Sequence, residues 1–159
     1  DHSLDHLLSV ASAVAQVRNS QGMAAAHEEV KKYPELNSAY QASAIVNKAS
    51  LGATKTLTYT IITFGDVAMS GHPYEMFDTN GKELRDGTVG NEHYAAEDQL
   101  ENPFAMHFVA TLGNGSEGYI PSYQGFANGG YERDTPRYAQ GTGEEIVGDI
   151  LNALHELKK

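Results

Sequence analysis

The first third of the chain carries its hydrophobic residues at helical spacing. Ser3 is placed to cap a helix whose apolar positions are Leu4, Leu7, Leu8, Ala11, Val14 and Ala15. A short second helix is predicted over 24–32, where Tyr33-Pro34 ends it. A third is predicted from a cap at Asn37 or Ser38 to Asn47. This helical part of the chain contains no catalytic pattern.

The pattern then changes from helical spacing to alternation. Leu57, Tyr59 and Ile61 alternate with threonines within Thr54 to Phe64, which predicts a half-buried strand. Gly65-Asp66 is placed to turn the chain into a second strand, Val67 to Met69. A further strand is predicted over Phe104 to Leu112, with Met106, Phe108 and Ala110 on one face.

A break at Ser70 to Pro73 separates the second strand from a predicted helix. Met76, Phe77, Gly81 and Leu84 recur at helical spacing, and Pro73 is near the predicted start. Glu75 would then occupy the first turn, beyond the carboxyl end of a strand, where sites in α/β sheets commonly lie. An acid that only compensates the helix dipole explains Glu75 equally simply.

The C-terminal segment predicts a long amphipathic helix. Thr142-Gly143-Glu144-Glu145 matches a capping box. The apolar positions that follow share one face: Ile146, Val147, Ile150, Leu151, Leu154 and Leu157. The whole pattern predicts an α+β fold, with a mixed β-sheet of about four strands and helices packed on it, in a single domain over 1–159.

Composition argues against several classes of function. A net charge of −10 without a basic cluster argues against a nucleic-acid partner. The absence of cysteine excludes disulfides, thiolate metal sites and a cysteine nucleophile. No run is long and apolar enough to predict a transmembrane segment.

Two separated segments resemble the neutral/alkaline (non-lysosomal) ceramidase family. Pro73 to Phe77, with Gly81 and Leu84, is similar to the family's P-G-E-x-F-x-x-x-G-x-x-L segment, although Tyr74 replaces its glycine. Asn114 to Glu132 contains a similar N-x-x-x-x-Y-I-P segment and ends in G-G-Y-E. The resemblance is clearest over 65–159 and implies the C-terminal portion of a ceramidase-like catalytic domain.

In that family a zinc ion, held by two histidines, a glutamate and a tyrosine, activates water to hydrolyse the amide of ceramide. The resemblance implies that Glu75 and Tyr119 are zinc ligands and that Tyr131 stabilises the anionic oxygen of the intermediate. Zinc accepts carboxylate oxygen and lowers the pKa of bound water, and a phenol is a suitable oxyanion donor. Without the resemblance, Tyr119 and Tyr131 would be interpreted as aromatic residues covering the sheet.

The two histidine ligands of the family lie upstream of the P-G-E segment, in motifs that this chain lacks. His93 and His107 match neither motif. His72, three residues before Glu75, is either a substitute ligand or, by default, a solvent-exposed turn histidine. We therefore expect a site that is incomplete in this chain alone, does not hold Zn²⁺ stably and does not hydrolyse an amide.

The resemblance also implies partners and a location. The substrate would be ceramide or a related N-acyl amide lipid of sphingolipid metabolism, and a missing N-terminal catalytic segment would complete the site. The location would be extracytoplasmic or secreted. The alternative is a non-catalytic ceramidase-like domain with a decayed metal site, used for binding or structure.

Overall fold

The computed structural model describes residues 3–52, 54–88, 91–135 and 137–159. The chain is α+β, as predicted, and its internal contacts divide it into two compact units, Asp1–Lys55 and Thr56–Lys159. No helix in the described part of the chain is long and apolar enough to cross a bilayer.

The first unit is helical, as the hydrophobic pattern predicts. Its helices are α1 (Leu4–Gln21), α2 (Met23–Val30) and α3 (Ala39–Ala49). The Ser3 hydroxyl accepts a hydrogen bond from the backbone N–H of His6 (3.2 Å), and the Ser38 hydroxyl caps α3 in the same way. The core consists of small residues that allow close helix packing, among them Ala11, Val14, Ala26, Ala39 and Ala42.

The described residues of the second unit form five strands, four further α-helices and a short 3₁₀ helix, Ala96–Asp98. The strands are β1 (Thr60–Phe64), β2 (Val67–Gly71), β3 (Glu75–Met76), β4 (Met106–Ala110) and β5 (Tyr119–Ile120). The helices are α4 (Asp78–Asp86), α5 (Tyr123–Asn128), α6 (Tyr131–Asp134) and α7 (Thr142–Leu157).

The strands form two sheets, where the sequence predicted one sheet of about four strands. A mixed sheet has the order β1-β2-β4, with β1 antiparallel and β4 parallel to β2. Gly65, at a φ of 60°, turns β1 into β2, as predicted. The remaining strands, β3 and β5, form a separate parallel pair.

Helix α7 provides much of the core of this unit. Val147, Ile150, Leu151 and Leu154 are fully buried, as predicted, whereas Leu157 is 53% exposed. The four buried residues of α7 belong to one cluster with Ala68, Tyr74, Leu84 and Ile120. The predicted capping box is wrong, because α7 begins after Gly141 and no side chain caps it.

The mixed sheet has one buried and one exposed face. The predicted alternation of β4 is confirmed, but Met106 and Phe108 are each 53% exposed while His107 between them is buried. Ile62 and Phe64 of β1 are likewise about half exposed. The strand register places Ile62 beside Met69 and Met69 beside Phe108. The four exposed residues Ile62, Phe64, Met106 and Phe108 therefore form a continuous surface, here named the outer apolar face.

Candidate functional site

Glu75 lies in a strand rather than in the first turn of a helix. Strand β3 consists of Glu75 and Met76, and α4 begins only at Asp78, after Phe77. The predicted helix start at Pro73 is therefore wrong, because residues 75–77 bond to a distant strand instead. The backbone N–H of Glu75 donates to the carbonyl of Gly118 (2.9 Å), and that of Phe77 donates to Ile120 (3.2 Å).

This pairing places Glu75 directly beside Tyr119. The two residues are register partners in the parallel pair of β3 and β5. Register partners on adjacent strands point to the same face of a sheet. Gly118, at a φ of 89°, sets the backbone before Tyr119 in a conformation that favours glycine.

Tyr131 completes the group. The ring of Tyr131 meets the ring of Tyr119 edge to face, with centroids 5.8 Å apart and an interplanar angle of 80°. Gly129 and Gly130, at φ values of 81° and 110°, turn the chain between α5 and α6 so that Tyr131 begins α6. The three residues singled out in the sequence thus lie together, although they are 12 or more positions apart in pairs.

The negative charge of Glu75 acts on the phenol beside it. The Glu75 carboxylate raises the pKa of Tyr119, with smaller contributions from burial and from Tyr131 and Glu132. The Tyr119 phenol therefore resists ionisation in the chain as it stands. A cation bound between the Glu75 and Tyr119 oxygens would act in the opposite direction.

These oxygens do not by themselves fit a zinc site. Catalytic zinc commonly takes three protein ligands, with histidine or cysteine among them. The group offers one carboxylate and one phenol, and no cluster of three or more histidine, aspartate and glutamate side chains suited to a metal occurs within residues 3–52, 54–88, 91–135 and 137–159. Glu75 and Tyr119 supply at most the oxygen part of such a site.

The default prediction for His72, an exposed turn residue, is wrong. His72 is fully buried and belongs to a chain of side-chain hydrogen bonds. Its Nε2 lies 3.0 Å from the Ser70 hydroxyl, which also lies 2.7 Å from Nε2 of His107. His107 Nδ1 lies 3.1 Å from the carbonyl oxygen of Leu84, and the Tyr74 hydroxyl lies 3.2 Å from His72 Nδ1.

Every ring nitrogen of the two histidines has a hydrogen-bond partner. His107 Nδ1 lies 3.1 Å from both the Leu84 carbonyl oxygen and the Asn102 side-chain amide nitrogen, so either neutral tautomer of His107 finds a partner there. Ser70 bridges the Nε2 atoms of the two rings, and the Tyr74 hydroxyl meets His72 Nδ1. Both nitrogens of His72 are thus occupied, which leaves it none to offer a metal.

Burial supports the neutral state of both histidines. Burial, with a smaller effect of His107, lowers the pKa of His72 to about 4, and burial also lowers the pKa of His107. Tyr74, the residue that replaces the motif's glycine, is fully buried in the same core. The departure from the motif thus supplies both core packing and a hydrogen-bond partner for His72 Nδ1.

The sequence interpretation missed a second group of polar residues. A cavity of about 290 Å³, here named the acidic cavity, is lined by Glu83, Glu92, His93, Ser122 and Glu144, among others. The ring of His93 stacks on Tyr123 at 4.1 Å. The sequence pattern placed Glu144 in a capping box, although it lies only two residues before Ile146, on the buried face of α7.

Comparison with models of known protein families, with curated proteins and with solved structures finds no match to this chain.

Proposed function

We propose that this chain is part of a zinc-dependent amidohydrolase that acts on ceramide or a related N-acyl amide lipid. The observation that carries the proposal is the convergence of Glu75, Tyr119 and Tyr131 from the two separated segments that resemble the family. A ceramidase-like motif requires a carboxylate and a phenol side by side with a second phenol nearby, and the fold supplies this arrangement.

Each residue has a distinct role in the proposal. Glu75 and Tyr119 provide two oxygen donors for Zn²⁺, and the missing N-terminal catalytic segment provides the histidines. Tyr131 is 62% exposed, so its hydroxyl is accessible to a substrate. A phenol there donates a hydrogen bond to the substrate's carbonyl oxygen and stabilises it as negative charge develops.

The test compares this chain with a longer chain that includes the segment preceding Asp1. The isolated chain is expected to bind no stoichiometric zinc and to show no amidase activity on a fluorescent ceramide. The longer chain is expected to bind one zinc and to release the fatty acid. Tyr131→Phe in the longer chain should retain zinc and lower kcat by about 10²–10³-fold, whereas Tyr40→Phe, at an exposed tyrosine of α3, serves as the matched control.

Glu75→Gln should instead lower zinc occupancy, because a neutral amide is a weaker zinc ligand than a carboxylate. Asp78→Asn, at an exposed acid three residues further along, is the control for the loss of charge. Full zinc occupancy in Glu75→Gln would remove Glu75 from the ligand set.

A non-catalytic, ceramidase-like binding or structural domain is the second candidate. It is favoured by one observation, namely that both buried histidines near the site are committed to core hydrogen bonds. If the longer chain binds the lipid amide but neither holds zinc nor hydrolyses it, this second function replaces the first.

A further inference from the structure

The acidic cavity contains a buried carboxylate with an unused oxygen. Glu144 is only 5% exposed. Its Oε1 accepts a hydrogen bond from the backbone N–H of Tyr123 (2.7 Å), while its Oε2 is buried without a hydrogen-bond partner in the described part of the chain. Because a buried carboxylate oxygen without a partner is costly, this oxygen points to a ligand that would satisfy it.

Glu83 brings a second carboxylate to the same cavity. Its Oε1 accepts from the side-chain amide of Asn91, and its Oε2 is also buried without a partner among the described residues. Burial, together with the charge of Glu144, raises the pKa of Glu83 to about 7. Two carboxylates that face one cavity in this way repel each other unless a proton or a cation lies between them.

The described lining of the cavity offers neutral oxygens, together with the imidazole of His93. No lysine or arginine is among the described residues that line the cavity, whereas Thr79, Ser122 and Gln124 are. Carboxylate and neutral oxygen atoms are the ligands that calcium and magnesium prefer, and magnesium sites often use only one or two carboxylates and keep several waters.

We propose that the acidic cavity binds a hard divalent cation, calcium or magnesium, through the carboxylates of Glu83 and Glu144. Water and the neutral oxygens of the cavity complete the coordination. The cation holds α4, which carries Glu83, to α7, which carries Glu144, and so it stabilises the second unit. This site shares no residue with the group of Glu75, Tyr119 and Tyr131 and stands independently of the function proposed above.

The test measures cation binding by the complete 159-residue chain after treatment with chelator. Calcium and magnesium are titrated separately by calorimetry, and Tm is followed by far-ultraviolet circular dichroism. Terbium provides a direct optical probe, because Tyr94 donates a hydrogen bond to the backbone carbonyl of Glu144 and can sensitise emission from a neighbouring lanthanide. We expect one site, and a Tm rise of roughly 5–10 °C when the cation is present at about 100 times its Kd.

Variants assign the site to its residues. Glu83→Gln and Glu144→Gln should each weaken cation binding about tenfold or more, because affinity follows the number of charged ligands. Glu83→Gln should also raise the Tm of the cation-free chain, since it removes the repulsion. Glu145→Gln makes the same charge change at an exposed position of α7 and should leave binding intact.

Three results would overturn the proposal. The first is the absence of saturable calcium, magnesium or terbium binding. The second is equal weakening by Glu83→Gln and Glu145→Gln, which would indicate diffuse attraction to an acidic chain. The third is loss of the cation effect in Glu75→Gln with retention in Glu83→Gln, which would place the ion at the other group.

Discussion

Acidification from pH 7 to pH 5 should destabilise the second unit through His72. In the folded chain the pKa of His72 is about 4, because the imidazole is fully buried and has His107 nearby. In the unfolded chain His72 has the ordinary histidine pKa of about 6.5. Between these two values the unfolded state binds a proton that the folded state excludes, so stability falls as pH decreases through this window.

The size of the effect follows from the two pKa values. The complete difference corresponds to about 3 kcal/mol of unfolding free energy, of which about 2 kcal/mol is lost between pH 7 and pH 5. His107 acts in the same direction, because burial lowers its pKa as well. A loss of this size is a large fraction of the stability of a typical domain.

The assay is urea unfolding at a series of pH values, followed by circular dichroism. His72→Gln does not titrate, so its stability should depend less steeply on pH than that of the parent chain. It should also be less stable at pH 7, because it loses the packing of a fully buried ring. His27→Gln, at an exposed position of α2, is the matched control.

Either of two results would show that His72 does not cause the loss of stability at low pH. One is a pH dependence in His72→Gln as steep as that of the parent chain. The other is a His72 resonance that titrates near pH 6.5 in the folded protein, since that would mean that the hydrogen-bond chain does not exclude the proton.

Two further predictions concern single positions in the second unit. Gly143→Ala should lower the free energy of unfolding by about 2 kcal/mol or more, because the new methyl group would overlap the side-chain amide of Asn80. Gly81→Ala, with open space around it in α4, should instead raise it by up to about 1 kcal/mol. Urea unfolding of both variants at pH 7 tests the contrast. Asn114→Ala should cost about 1 kcal/mol, because the Asn114 amide donates to the Thr60 hydroxyl (2.9 Å) and to the Gly71 carbonyl (3.0 Å); an unchanged unfolding midpoint would show that these bonds contribute nothing.

Local signals in the sequence were sufficient for the starts of α1 and α3. Ser3 and Ser38 stand immediately before apolar residues at helical spacing, and each caps the helix that it predicts. The buried face of α7 was also predictable, because its apolar residues recur with the 3.6-residue period of a helix and therefore share one face. These features depend on residues within a few positions of each other.

Features that depend on distant partners were predicted wrongly. Glu75 is in a strand because it pairs with Tyr119, 44 positions away by their numbers, and no local pattern reports such a parallel pairing. The alternation of β4 was correct, but His107 takes the buried side because Ser70 and Leu84 satisfy its nitrogens. The hydrophobic pattern placed Met106 and Phe108 together on one face, and the structure leaves that face exposed.

The candidate site was predicted to the extent that it resembles a motif. Glu75, Tyr119 and Tyr131 were singled out by similarity and lie together, while their proposed roles stay predictions. The acidic cavity was missed because Glu83 and Glu144 are ordinary helix residues in the sequence. Only the packing of α4 near α7 turns two solvated charges into neighbours that line one cavity.

At the outer apolar face, selection for a folded chain can be distinguished from selection for contacts with other molecules. Ile62, Phe64, Met106 and Phe108 each keep about half of their surface in water, so folding has gained only part of the free energy that their full burial would provide. A polar substitution there opens no cavity and leaves no donor unpaired, which means that selection for a folded chain acts on these four positions only weakly. If relatives of this protein keep large apolar side chains at the same places, the cause lies in what this face touches in the cell and not in the stability of the sheet.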